Sequence, residues 1–130
     1  MEDAAFSDEF CLFVQTAIPA VDAAELLLVV ADRPDIWSST RELLDRLKPK
    51  ASMSVEDAQR HIAVFQQQGL VELDAERRVR YCPGSEELAH HVRTLAQAYE
   101  ERPVTLVRVI YALRDARIRT FADAFKLRKK

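Results

Sequence analysis

Glycine is almost missing from this chain. Two glycines, Gly69 and Gly84, and five prolines serve 130 residues. So few turn-forming positions predict long helices joined by short links. Cysteine is equally scarce. Cys11 and Cys82 stand far apart and match neither a CxxC nor a zinc-ligand spacing, which excludes a disulfide framework and a structural zinc site. Buried thiols in a reducing cytoplasm are expected instead. Long hydrophobic runs are absent too. The longest, Leu26 to Ala31, falls far short of the ~20 residues that span a bilayer. The N-terminus is acidic and lacks the basic start of a signal peptide. There is no internal repeat and no low-complexity stretch. The expectation is a cytoplasmic protein that does not enter a membrane.

Nearly half of the residues, 48%, are hydrophobic, enough for a packed core, and the formal net charge is only −2. That small value conceals a gradient. Glu2, Asp3, Asp8, Glu9, Asp22, Glu25 and Asp32 load residues 1–32 with acid and no base is among them. Arg114, Arg117, Arg119, Lys126, Arg128, Lys129 and Lys130 face only two acids in residues 114–130. Either the two ends pair, within one chain or across a dimer, or the tail meets a polyanion.

Periodicity divides the chain into elements. Phe6, Phe10, Phe13 and Val14 fall at helical spacing from about Ser7 to Pro19. A second helix is expected over Ala23–Ala31, with Asp22 and Glu25 at capping-box spacing and Pro34 beyond its end. A third begins at the Ser39-x-x-Glu42 box, buries Leu43, Leu44 and Leu47, turns Arg41, Asp45 and Arg46 to water, and stops at Lys48-Pro49-Lys50. Trp37 reads as a staple before it. A fourth follows Ser54, with Val55, Ala58, Ile62 and Phe65 on one face and Gly69 where a left-handed C-cap is needed. Val71/Leu73 and Val79/Tyr81 alternate with charged residues, a hairpin pattern with no Asn-Gly or Asp-Gly to set its turn. Ser85 caps a long helix to about Glu101 along Leu88, Val92, Leu95 and Tyr99. Pro103 opens VTLVRVIYAL, read as a helix with a strand as the alternative. A last amphipathic helix carries Ile118, Phe121, Ala122 and Phe125.

The fold class is mainly α with a small β-hairpin. Its organisation is an N-terminal helical arm over 1–21, a compact module over 22–83 and C-terminal helices over 84–130. The order of elements, and above all SVEDAQRHIAVFQQQGLVELDAERRVRY from Ser54 to Tyr81, resembles the winged helix-turn-helix repressors of the MarR and ArsR types. The resemblance covers about half of the chain and rests on pattern. It implies that Arg41–Leu47 brace, that Val55–Gln68 lie in the major groove of DNA, and that Leu70–Tyr81 form the wing. It also implies a homodimer held through terminal helices, here residues 86–128.

A groove-reading helix needs a buried stripe and a polar outer face. The outer face here holds Glu56, Gln59, Arg60, Ala63, Gln66 and Gln67. Gln59 and Gln67 suit adenine edges, and Arg60 suits guanine or a phosphate. Ser54 at the helix start and Arg77, Arg78 and Arg80 on the wing complete the candidate DNA contacts. Against this stand Glu56 and Asp57 at the helix start. Residues 33–80 are also nearly neutral, with nine bases and eight acids, whereas phosphate neutralisation provides most non-specific affinity. Two functions therefore remain: a DNA-binding transcription regulator, or an adaptor that docks a protein through the same fold.

Catalysis is not expected. No glycine-rich phosphate loop is present. His61 beside Ile62 reads as a structural histidine. His90 and His91 are adjacent and point about 100° apart on a helix, so they cannot chelate one metal together. No cofactor and no metal are expected.

Overall fold

The computed structural model describes residues 6–47 and 53–128, with side chains to residue 115. The elements run α1 (Asp8–Ala17), α2 (Val21–Asp32), α3 (Thr40–Arg46), α4 (Val55–Gln67), β1 (Val71–Leu73), β2 (Val79–Tyr81), α5 (Glu86–Glu101) and α6 (Pro103–Arg128). The protein is mainly α, with a two-stranded antiparallel hairpin between α4 and α5.

Serine starts most of these helices. Ser7, Ser39, Ser54 and Ser85 each accept a hydrogen bond from the backbone three residues on, which satisfies one amide that a helix end leaves open. At Ser39 the capping box is complete, for Glu42 accepts from the Ser39 amide at 2.7 Å. These backbone and side-chain bonds from Ser39 hold the Glu42 carboxyl below its ordinary range.

The expected box at Asp22 does not form. α2 starts at Val21 with Ala20 as its uncapped N-cap, so Asp22 lies inside the first turn. There its Oδ1 approaches His61 Nε2 on α4 at 3.4 Å. Glu25 is not folded back on the cap either; it accepts from the Tyr99 hydroxyl on α5 at 2.7 Å.

Pro19 breaks the chain between α1 and α2, whose axes differ by 98°. α2 is the centre of the molecule. It touches α3, α4, α5 and β2, which explains why it is apolar nearly all round. Ala23, Ala24, Leu26 and Leu27 are fully buried, and each such leucine contributes about 1.5–3 kcal/mol. On one side α3 and α4 pack together and α4 packs on β1; on the other, α1, α5 and α6 pack on one another. A single core unites both groups, from Phe10 and Val14 through Leu26 and Phe65 to Leu95 and Ile110.

The C-terminal segment is helical as expected, and it differs in helix length and in burial. Residues 104–113 are helix, which removes the strand alternative, and α6 continues unbroken to Arg128 where two helices were expected. Its burial is one-sided. Leu106, Val109 and Ile110 are 1% exposed, while Val104 is 69% and Tyr111 47% exposed. The stripe of the proposed last helix, Ile118 to Phe125, and the Lys48-Pro49-Lys50 stop both lie outside the described side chains.

Candidate functional site

α4 has both ends fixed by its sequence. At the start the Ser54 hydroxyl accepts from the Asp57 amide at 3.0 Å. At the end Leu70 N–H bonds to Phe65 C=O at 2.9 Å and Gly69 N–H to Gln66 C=O at 3.1 Å, with Gly69 at φ +80°. That is a Schellman motif, and its left-handed residue favours glycine. Between the caps Ala58, Ile62 and Phe65 are buried. The opposite face, Glu56, Gln59, Arg60, Ala63, Gln66 and Gln67, is exposed along its whole length.

The hairpin pairs Val71 with Tyr81, Glu72 with Arg80 and Leu73 with Val79. Its apolar face turns to the core, where Val71 and Val79 are buried. Asp74 builds the turn that no glycine marks. Its Oδ1 accepts from the amides of Glu76 and Arg78 at 2.9 and 2.8 Å, and its Oδ2 accepts from Arg78 Nε at 2.8 Å. Desolvation pushes this carboxyl up, but the backbone and guanidinium bonds from Arg78 outweigh it and leave it below the ordinary range. Arg77, at the tip, takes φ 65°, a conformation uncommon for a side chain of its size.

A third backbone segment joins the sheet. Ser38 bridges Val79, and Arg46 donates to the Ser38 hydroxyl at 2.5 Å. Arg46 is thus half-buried and bonded, not turned to water as its spacing suggested. Trp37 is no simple staple either, for the Arg80 guanidinium lies 4.9 Å over its ring. Sequence periodicity gave no sign of these contacts, because Ser38 and Val79, and Trp37 and Arg80, are about forty apart, and Arg46 reaches out of its helix to Ser38.

Between α4 and the hairpin lies a groove of roughly 190 Å³. Gln59, Ala63 and Gln66 of α4, Thr40 of α3, and Leu73 and Arg77 of the hairpin line it. Of the seven residues singled out from the sequence, Gln59 and Arg77 meet in this groove. Arg60 and Gln67 stand on the exposed face of α4 outside the groove lining, and Ser54 serves the α4 cap. Arg78 and Arg80 project from the second strand side. Gln66 and Thr40 are the additions; Gln66 was visible in the outer-face pattern, whereas Thr40 lay in another element.

Charges around the groove are matched locally. Arg60 pairs with Asp57, Arg78 with Asp74 and Glu76, and Arg80 with Glu72. The Asp74 bond and charge raise the Arg78 pKa further. Among the described residues, Arg77 makes no ion pair. The groove therefore offers amide edges, one methyl-lined wall and one unmatched cation.

A second cleft, of about 370 Å³, opens where Leu28, Val29, Arg33, Arg46, Leu47 and Tyr99 meet. Desolvation and the hydrogen bond to Glu25 push the Tyr99 phenol up to about 12. Among the described residues no group of three or more His, Cys, Asp or Glu side chains is placed to hold a metal. Neither cysteine is in a disulfide, and the expected burial fails: Cys11 is half-buried and Cys82 exposed. No single helix among the described residues is long and apolar enough to cross a membrane. His61 is largely covered, with 16% of its side chain exposed.

No family model, no curated protein and no solved structure matches the chain.

Proposed function

We propose that this chain is a cytoplasmic, homodimeric transcription regulator that binds double-stranded DNA through a winged helix-turn-helix. The observation that carries the reading is the groove shared by Gln59 and Gln66 of α4 and Arg77 of the hairpin. It lets one docked duplex meet a polar helix face and a cationic wing tip together. The order α2, α3, α4, hairpin supports the fold, as does the Ser38–Val79 bridge, which pairs the segment before the second helix of the motif with the second hairpin strand.

In this reading α4 enters the major groove. Gln59 and Gln67 read adenine edges, and Arg60 reads guanine or holds a phosphate. Arg77 reaches the minor groove or a phosphate, with Arg78 and Arg80 behind it. The ion pairs of Arg60, Arg78 and Arg80 are partly exposed, and such pairs contribute only ~0–1 kcal/mol. A phosphate can displace their carboxylates at small cost.

The local matching of those same arginines favours a second reading, an adaptor that docks a protein on a nearly neutral surface. Binding to a fluorescent pool of duplexes separates the two. DNA binding predicts retention at low salt and a logarithmic salt slope of about −0.9 per phosphate neutralised. No retention at low salt sinks the DNA reading and leaves the adaptor.

A further inference from the structure

α2 and α5 pack side by side and leave a trough of about 640 Å³ along their seam. Leu28 and Ala31 of α2 and Ala89, Val92 and Ala96 of α5 line its floor. Of these only Val92 is fully buried; the others keep apolar surface open. Three of the five are alanines, whose short side chains leave gaps in the ridges of a helix. The rim carries Asp32, Glu100 and Glu101 against one base, Arg93, and Arg93 is already matched by Glu86 at 2.5 Å. Asp32 and Glu100 make no ion pair among the described residues, and Glu101 accepts from the Gln97 amide at 3.4 Å. The trough is therefore an apolar floor under an acidic rim.

The chain carries the complement itself. Residues 114–130 hold seven bases and two acids, and Ile118, Phe121, Ala122 and Phe125 recur at helical spacing among them. α6 is helical through Arg128. On a helix, positions 118 to 125 span about 10 Å, which fits within the roughly 18 Å between Ala89 and Glu101 on the α5 side of the trough.

That stripe overshoots the trough of its own chain. A single residue, Arg102, separates α5 from α6. The α5 residues of the trough all lie within about 20 Å of this junction, whereas positions 121 and 125 lie about 27 and 33 Å from it along the unbroken helix.

We propose that the trough between α2 and α5 receives the basic end of α6, residues 114–128, from a second copy of this chain, and that the exchange is reciprocal. The inference rests on the homodimer proposed above and names the surfaces that hold it. Two-fold symmetry makes each chain both donor and acceptor, so both troughs fill at once. Burial of the stripe on the apolar floor provides the affinity, while the acidic rim sets its orientation and disfavours acidic partners.

Sedimentation velocity on the full-length protein tests this with charge-reversed chains. A trough variant, Asp32→Lys with Glu100→Lys, opposes its own basic end. A tail variant, Arg117→Glu with Arg119→Glu and Lys126→Glu, opposes its own acidic rim. The wild type should be a dimer at micromolar concentration, and each variant alone should dimerise with a Kd raised roughly tenfold or more. An equimolar mixture of the two should recover dimers, because both of its contacts then join opposite charges; a misfolded chain could not be rescued in this way. Ala96→Lys, at an exposed position, fills the trough and should weaken the wild-type dimer to a similar degree. A dimer indifferent to Ala96→Lys and to both reversals overturns the docking and leaves the homodimer standing. Variants that separate but are not restored by mixing overturn the exchange between chains. A wild-type monomer removes the homodimer and this docking together.

Discussion

Ser38 and Val79 exchange both of their backbone hydrogen bonds, at 2.9 and 2.8 Å, although forty-one positions of sequence separate them. Both residues are buried, and the bridge ties the segment before α3 to the second hairpin strand. Ser38→Pro removes the amide that Val79 C=O accepts from. It should cost about 1–3 kcal/mol, the usual penalty for a buried group left without its partner. Urea denaturation measures it; a change under a few tenths of a kcal/mol would show that the bridge adds nothing.

Two left-handed residues give opposite expectations. Gly69 has φ +80°, and a Cβ there meets Leu88 Cδ1 at an ordinary 3.6 Å. Gly69→Ala should therefore destabilise by about 1 kcal/mol through backbone strain alone. Arg77 is the reverse case. Arg77→Gly relieves its φ of 65° and should stabilise by some tenths of a kcal/mol. If the wing meets DNA, the same variant should bind more weakly and flatten the salt slope by about one unit. Unaltered DNA affinity in a stabilised Arg77→Gly would remove the tip from the interface.

Alkaline titration isolates Tyr99. Its phenol is pushed up to about 12, so the folded state holds the proton more tightly than the unfolded chain. The stability this contributes is complete below the ordinary value near 10 and disappears as the pH rises toward 12. Absorbance at the phenolate band should show a late step that Tyr99→Phe deletes. If the difference between the wild-type and variant curves titrates near the ordinary value of about 10, neither the burial of this phenol nor its bond to Glu25 holds in solution.

Assembly is tested on exposed positions of α6. Ile110→Glu is unsuitable, because Ile110 is 1% exposed within one chain and a buried unpaired charge unfolds the domain. Tyr111→Glu and Val104→Glu change the exposed face instead. Sedimentation of the wild type should give a dimer at micromolar concentration, and Tyr111→Glu should give a folded monomer. A wild-type monomer removes the homodimer and leaves α6 as a core element of one chain.

Local rules carried most of the secondary structure into view. Ser39 with Glu42, Ser54, Gly69 and Ser85 each mark one helix end, and each of these ends lies where it was expected. Asp22 failed because capping is decided by where the helix starts, and α2 starts two residues earlier than that cap requires. In the candidate site, the polar face of α4 was legible as the complement of the Ala58, Ile62 and Phe65 stripe. What surrounds it was not. The Asp57 partner of Arg60, three positions away on α4, was legible as a helical pair, but the Asp74 and Glu72 partners of Arg78 and Arg80, and Trp37 beneath Arg80, depend on side-chain geometry across the turn and the strands. Periodicity carries no record of that.

α6 also has a mechanical consequence. Twenty-six helical residues without a break make a rod about 39 Å long. The rod packs against α1 and α5, and Leu106, Val109 and Ile110 on it are each 1% exposed. A rotation of about 10° about Pro103 displaces a point one rod length away by about 7 Å, from the helical rise alone. The seating of Leu106, Val109 and Ile110 therefore sets the direction of the rod.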